Sequence, residues 1–277
     1  MDISMPVTLA VLGAALLHAV WNALVKASPD KQLDTVGLAA SAGIVAVLLA
    51  PFLAVPARDS WPWLAGSVAV HILYFVFLAG AYRWGELSYT YPIMRGGGPM
   101  IVALVGALAL GEVLPWKETL GVVLICVGIL AFASGKHDRR ATLFAVGNAV
   151  VIAAYTLIDA QGARSSGAPV SYTLWFFAAN GVAITAMGSV RRGRPAVAAY
   201  LRLHWLRTGI GGVCSLAAYG IALWAMTQAP VALVAVLRET AVIFGAILGA
   251  LFLNEKMTRR RLAATGAVMA GLVALRL

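Results

Sequence analysis

Two arginines and one acid carry the first chemical question of this sequence. Arg95 stands in "YPIMRGGGPM" (residues 91–100) and Arg238 in "AVLRETAVIF" (residues 235–244), each inside an apolar run. At 1.5 Å per residue, Arg95 lies roughly 12 Å from the start of its run. A guanidinium at that depth in hydrocarbon costs about 2.5–3.5 kcal/mol on insertion scales. Two readings meet that cost. Each arginine lines a water-filled cavity and binds an anionic group such as a carboxylate, or it reaches an interface or an acid and holds helices together. Glu239 is the deepest acid in the spans and follows Arg238 directly. Adjacent helical residues point about 100° apart, so Glu239 is free to reach Arg95 or a cationic group of a substrate. A carboxyl held away from water can load a proton, which makes Glu239 the candidate for proton coupling. The competing reading is a structural salt bridge.

Other polar side chains keep company with these. His18 has Trp21 and Asn22 three and four residues on, and His71 has Tyr74 three residues on, the spacings that share a helix face. Asn148, Ile152, Tyr155 and Asp159 follow 4-3-4 spacing on one face. Tyr91, one turn before Arg95, and Tyr219 are deep aromatics that can hold an ammonium by cation–π attraction, worth about 0.5–2 kcal/mol. The plainer reading of the histidines is a hydrogen bond between helices. That of Tyr82, Tyr89, Trp175 and Trp224 is an interfacial aromatic belt. Gly96, Gly97, Gly98 and Pro99 remove side chains and one backbone N–H beside Arg95, so that part of the segment is expected to face protein or a cavity. These four residues are the candidate hinge, and a static packing kink is the alternative.

The elements that must position these groups are membrane helices. Of 277 residues, 61% are hydrophobic and 12% charged, against about a quarter charged in a soluble domain, and mean hydropathy is +0.88. The runs predict ten spans over 6–26, 34–54, 62–83, 87–110, 115–134, 141–160, 169–189, 205–227, 230–253 and 257–276. The longest connection is "RRGRPAVAAYLRLH". With no basic residue before Lys26, the first span is expected to be retained rather than cleaved as a signal. Cys126 and Cys214 lie in apolar runs, so neither a disulfide framework nor a metal site is expected. No phosphate-binding loop, clustered nucleophile and base, or H-E-x-x-H motif appears, so the chain is expected to use no cofactor and to be no enzyme. The net charge of +10 is assigned to the loops and anionic lipid headgroups rather than to nucleic acid.

The chain also repeats itself. Shifted by 143, residues 95–131 align without a gap: Arg95 falls on Arg238, Gly106 on Gly249, Glu112 on Glu255 and Gly128 on Gly271. The first spans align at a shift of 134, with Gly13 on Gly147 and Trp21 on Tyr155. Residues 1–138 and 139–277 therefore read as two five-helix copies. Five is odd, so the copies enter the membrane from opposite sides, an inverted repeat with a site expected between them. The predicted fold class is all-α integral membrane, ten helices in two inverted-topology repeats, and one copy of the chain suffices, as a monomer.

Pro99-x12-Glu112 followed by Gly121 and Gly128, together with "HAVWNALVKAS", resembles the drug/metabolite transporter superfamily, EamA type. The resemblance runs over nearly the whole length, although Val242 stands where the second proline would be. It implies ten helices, alternating access, small metabolites such as amino acids as cargo, and both termini inside. Charge gives the opposite orientation: 15 Lys and Arg lie at loops after odd-numbered spans against 4 elsewhere, which puts the termini outside. The function expected is a secondary transporter of a small polar metabolite in the inner (cytoplasmic) membrane, an amino acid or similar zwitterion, with export as the direction. Arg95 or Arg238 would hold the carboxylate, and Glu239 with aromatic rings the ammonium. Lipophilic or quaternary cations, and organophosphate or phosphonate anions, remain as alternatives.

Overall fold

The computed structural model describes residues 3–131, 133, 138–252 and 259–275. Its helices are α1 (Met5–Lys26), α2 (Lys31–Leu49), α3 (Trp61–Trp84), α4 (Leu87–Ala109), α5 (Trp116–Leu130), α6 (Arg139–Ser165), α7 (Pro169–Arg192), α8 (Arg194–Met226), α9 (Val231–Arg238), α10 (Ala241–Phe252) and α11 (Arg259–Ala274). No strand occurs among the described residues. Eight stretches are long and apolar enough to cross a membrane, and α5 and α11 are shorter, at 15 and 16 residues. Outward-facing Leu104, Leu108, Val182 and Leu251 are exposed, the arrangement of side chains that meet lipid rather than water. This is a multi-pass helical membrane protein.

Local chemistry sets the helix starts. Asp30 and Asp138 cap α2 and α6 by accepting the backbone N–H groups of Leu33 and Ala141, at 3.0 and 2.9 Å. The Leu33 N–H, with Arg192 beside it, holds the Asp30 carboxyl below its ordinary range. Prolines stand in the first turns of α1, α3, α7 and α8, where their missing N–H leaves nothing unpaired.

α3 packs on α6, α2 on α7 and α8, α1 on α8 and α10, α4 on α6, α5 and α9, and α5 on α11. Two of these crossings are closed by glycine. A Cβ on Gly43 (α2) would lie 3.2 Å from the Gly181 Cα on α7, and one on Gly121 (α5) 3.1 Å from the Gly271 carbonyl oxygen on α11. Close backbone approach is how helices associate where lipid offers no hydrophobic drive. α9 sits at the centre, with every residue from Val231 to Leu237 buried.

Two expectations change. The connection "RRGRPAVAAYLRLH" is helical from Arg194 and continues through a kink at His204 into the eighth span. Its Val197 is buried and Tyr200 half-buried, so one face packs although the segment is too polar to read as a span. The ninth span is broken into α9 and α10 at Glu239–Thr240. The fourth span is unbroken: α4 runs as one helix through Pro92 and Pro99. Its glycines pack. A Cβ on Gly96 would come within 2.8 Å of the Cys126 carbonyl oxygen on α5. One on Gly97 would lie 3.1 Å from the Ala149 Cβ, and one on Gly98 2.8 Å from the Ile152 Cγ2, both on α6. Glu255, the repeat partner of Glu112, lies outside the described residues, as do Leu253, Lys136, Lys256 and Arg276.

Candidate functional site

Arg95 sits in the middle of α4, and Arg238 closes the last turn of α9. A cation at a helix C-terminus faces the negative end of the helix dipole, which favours Arg238 where it stands. Glu239 begins the turn between α9 and α10, and Thr240 fixes that turn by donating its hydroxyl to the Leu237 carbonyl at 2.7 Å. The turn aims Glu239 away from Arg238 and at α4. Arg95 Nε donates to Glu239 Oε2 at 3.0 Å, and Arg95 Nη2 lies 2.9 Å from Glu239 Oε1. The pair is two-pronged and buried, at 14% and 5% side-chain exposure. It cancels one of the two deep arginines.

Arg238 is left uncancelled: it makes no ion pair among the described residues. Its guanidinium carbon lies 5.2 Å from the centre of the Tyr219 ring on α8. Arg95, Arg238 and Glu239 together line a small cavity with Pro99, Tyr155 and Thr156. The cavity is about the size of one water, and its one net positive charge and aromatic wall match a single carboxylate in charge.

Behind the cavity lies an aromatic cluster. His71 (α3) stacks on Tyr155 at 4.2 Å between ring centres and on Phe176 at 4.8 Å, and Phe176 meets Tyr219 at 5.6 Å. Tyr74 stands edge-on to Tyr155 at 6.0 Å. Asp159 lies at the far side of this cluster, fully buried, and accepts the Tyr172 hydroxyl at 3.0 Å and the Tyr219 hydroxyl.

Arg95, Arg238, Glu239, Tyr155 and Pro99 are thus together at the cavity, with Tyr219, His71 and Tyr74 in the wall behind. The other expected residues make local contacts, with His18 and Tyr91 within electrostatic reach of Arg95. His18 packs edge-on to Trp21 at 4.9 Å, and Asn22 donates to the His18 carbonyl one turn back. Asn148 donates to Met94 Sδ in the α4–α6 contact. Tyr91 is 36% exposed, one turn from Arg95.

Sequence reasoning left out Tyr172 and the pairing of Arg164 with Glu112, and gave Asp159 a place on the Asn148–Tyr155 face without a role of its own. The sequence puts Asp159 on that helix face, in a span predicted to end at 160. In the structure α6 continues to Ser165, which sets Asp159 inside. The 4-3-4 spacing with Asn148 and Tyr155 is the signal that marked it.

The EamA-like transporter family model matches residues 139–277, half of the chain. The multidrug resistance protein EbrB of Bacillus subtilis (strain 168) is 30% identical over 87 residues, covering 30% of this chain and 74% of that protein. The nicotine metabolites export pump subunit NepA of Paenarthrobacter nicotinovorans is 30% identical over 78 residues, covering 27% of this chain and 67% of that subunit. A crystal structure 18% identical in sequence superposes with a TM-score of 0.72 over 98% of both chains, a likeness of fold. The chain belongs to the EamA-like transporter family, within the drug/metabolite transporter superfamily.

Proposed function

We propose that this protein is a secondary transporter of a small zwitterion, an amino acid or close analogue, working by alternating access in the cytoplasmic membrane. The observation that carries this reading is Arg238, which lines the central cavity without an ion pair among the described residues, while Glu239 cancels Arg95. One uncancelled guanidinium suits one carboxylate, and an organophosphate dianion would be left half-neutralised. The ring of Tyr155 at the cavity suits the ammonium end. In this reading the chain has ten spans in two inverted copies, 1–138 and 139–277. Helix pairing supports it: α1 on α8 matches α6 on α3, while α2–α7, α4–α9 and α5–α11 pair each element with its own counterpart. The remaining sequence candidates, His18, Trp21, Asn22, Tyr91 and Asn148, stay in the proposed lining or its support.

The test is uptake of the twenty protein amino acids by proteoliposomes holding the full chain. At least one is expected to move, and Arg238→Ala is expected to weaken its binding at least tenfold, the loss of one charge-assisted hydrogen-bonded contact. Movement of none of the twenty, or equal binding by Arg238→Ala, overturns the reading.

Amine cations are the second reading. One relative carries multidrug resistance in its name and the other export of nicotine metabolites, and the His71–Tyr155–Phe176–Tyr219 cluster offers ring faces. Removing Arg238 separates the two, since it strengthens binding of a cation and weakens that of a zwitterion.

A further inference from the structure

Asp159 is a fully buried carboxyl whose two oxygens each accept one hydroxyl, from Tyr172 on α7 and Tyr219 on α8. No cation pairs with it among the described residues. The titratable and charged groups that face it are His71 and the neighbouring Ser67 hydroxyl on α3, Tyr172 on α7, Tyr219 on α8 and Tyr155 on its own helix. Arg238 on α9 is reached through Tyr219, whose hydroxyl goes to Asp159 and whose ring carries the guanidinium, and it also lies within electrostatic reach of Tyr155 and His71. A lone carboxylate in low dielectric is costly, and the neutral hydroxyls of Tyr172, Tyr219 and Ser67 offset only part of that cost.

We propose that Asp159 is a proton-binding site and that Tyr219 links its proton to anion binding at Arg238. The proton comes from water and bonds to Asp159 Oδ2. The acid then donates to the Tyr219 oxygen, and the tyrosine's own hydrogen turns away. With the negative charge removed from one end of Tyr219, its ring holds Arg238 less strongly, and Arg238 attracts a substrate carboxylate more strongly. By reciprocity the bound carboxylate favours the proton. This link rests on the zwitterion reading, whereas the proton site does not.

Infrared difference spectra of the substrate-free full chain between alkaline and acidic buffer test the site. A carboxylic-acid carbonyl band is expected in the wild type, missing from Asp159→Asn. Tyr172→Phe and Tyr219→Phe each remove one hydrogen bond and are expected to shift that band, which decides the question if Asp159→Asn does not fold. A band unchanged in Asp159→Asn, or unmoved in both tyrosine variants, overturns the proposal. Binding tests the link, using whichever of the twenty amino acids the wild type takes. Its affinity is expected to rise severalfold per unit fall in pH, with tenfold as the ceiling for one proton, and to be flat in Asp159→Asn and Tyr219→Phe. If His71→Gln abolishes the pH dependence and Asp159→Asn keeps it, the link is overturned. If no amino acid binds, the transport reading falls, and the infrared result alone decides the proton site.

Discussion

Arg95 and Arg238 align in sequence, yet one is paired and the other is not, so they call for opposite substitution results. Arg95 shares two contacts with Glu239 away from water. Removing one member of a buried ion pair strands the other charge and costs about 3–5 kcal/mol, while replacing both members is often neutral. Arg95→Met alone is therefore expected to destabilise the chain by about that amount, and Arg95→Met with Glu239→Gln to restore most of it. Chemical unfolding in detergent reads the difference. Failure of the double variant to recover would mean that the pair does more than cancel charge. Arg238→Ala strands no partner among the described residues. It is expected to unfold within about 1 kcal/mol of the wild type, in the range of substitutions that leave no buried charge behind, while losing substrate binding. Sequence alone located both arginines and Glu239 but left their pairing open. Pairing depends on which way a turn aims a side chain, and the break at Glu239–Thr240 contains neither glycine nor proline to announce it.

At the scale of the helix, the glycines of α4 and the break after α9 occupy matching places: at the 143-residue shift, Gly96 and Gly97 fall on Glu239 and Thr240. The first half keeps a continuous helix and uses the missing side chains for contact with α5 and α6, whereas the second half opens its backbone. The packing role makes a graded prediction. Gly98→Val would push a branched side chain into Ile152, where even a Cβ would sit 2.8 Å from its Cγ2, and is expected to cost about 1–3 kcal/mol by overpacking. Gly13→Ala in α1 meets nothing within 4 Å and is expected to gain up to about 1 kcal/mol from helix propensity. Thermal unfolding of the two variants side by side checks both signs. A neutral Gly98→Val would show that α4 can move off α6, the behaviour a hinge requires. Most helices were legible because hydropathy and proline position mark them: the spans predicted over 6–26 and 169–189 appear as Met5–Lys26 and Pro169–Arg192. The first turns of α8 were not, since Arg194–Leu203 buries only one face and its average polarity is that of a loop.

Across the whole molecule, the two ends of the bundle are tied by different chemistry. At the end with most of the Lys and Arg, Asp34 on α2 meets Arg207 of α8 at 2.9 Å, and Arg207 also donates to Tyr200 and Ser28. Asp30 pairs with Arg192 beside them. At the opposite end, Glu112 after α4 meets Arg164 of α6 at 2.6 Å and accepts the Val231 N–H, the first of α9, at 2.7 Å. Arg164 also donates to the Met226 and Ala229 carbonyls. That second cluster joins residues from 1–138 to the entry of α9, the helix that carries Arg238, so it is placed to latch the cavity at that end. Arg164 is 30% exposed, and screening limits such a pair to about 1 kcal/mol or less, a shift of up to about fivefold between closed and open populations. Glu112→Gln is therefore expected to raise, by no more than about fivefold, the rate at which a membrane-impermeant thiol reagent supplied from the Glu112 side labels a cysteine placed at Thr156, in a chain whose Cys126 and Cys214 have been replaced. Asp34→Asn should leave that rate unchanged, because its network lies at the other end. Equal labelling in all three proteins would mean that the Glu112 cluster braces the fold and gates nothing. Labelling raised by Asp34→Asn instead would put the mobile end on the side rich in Lys and Arg.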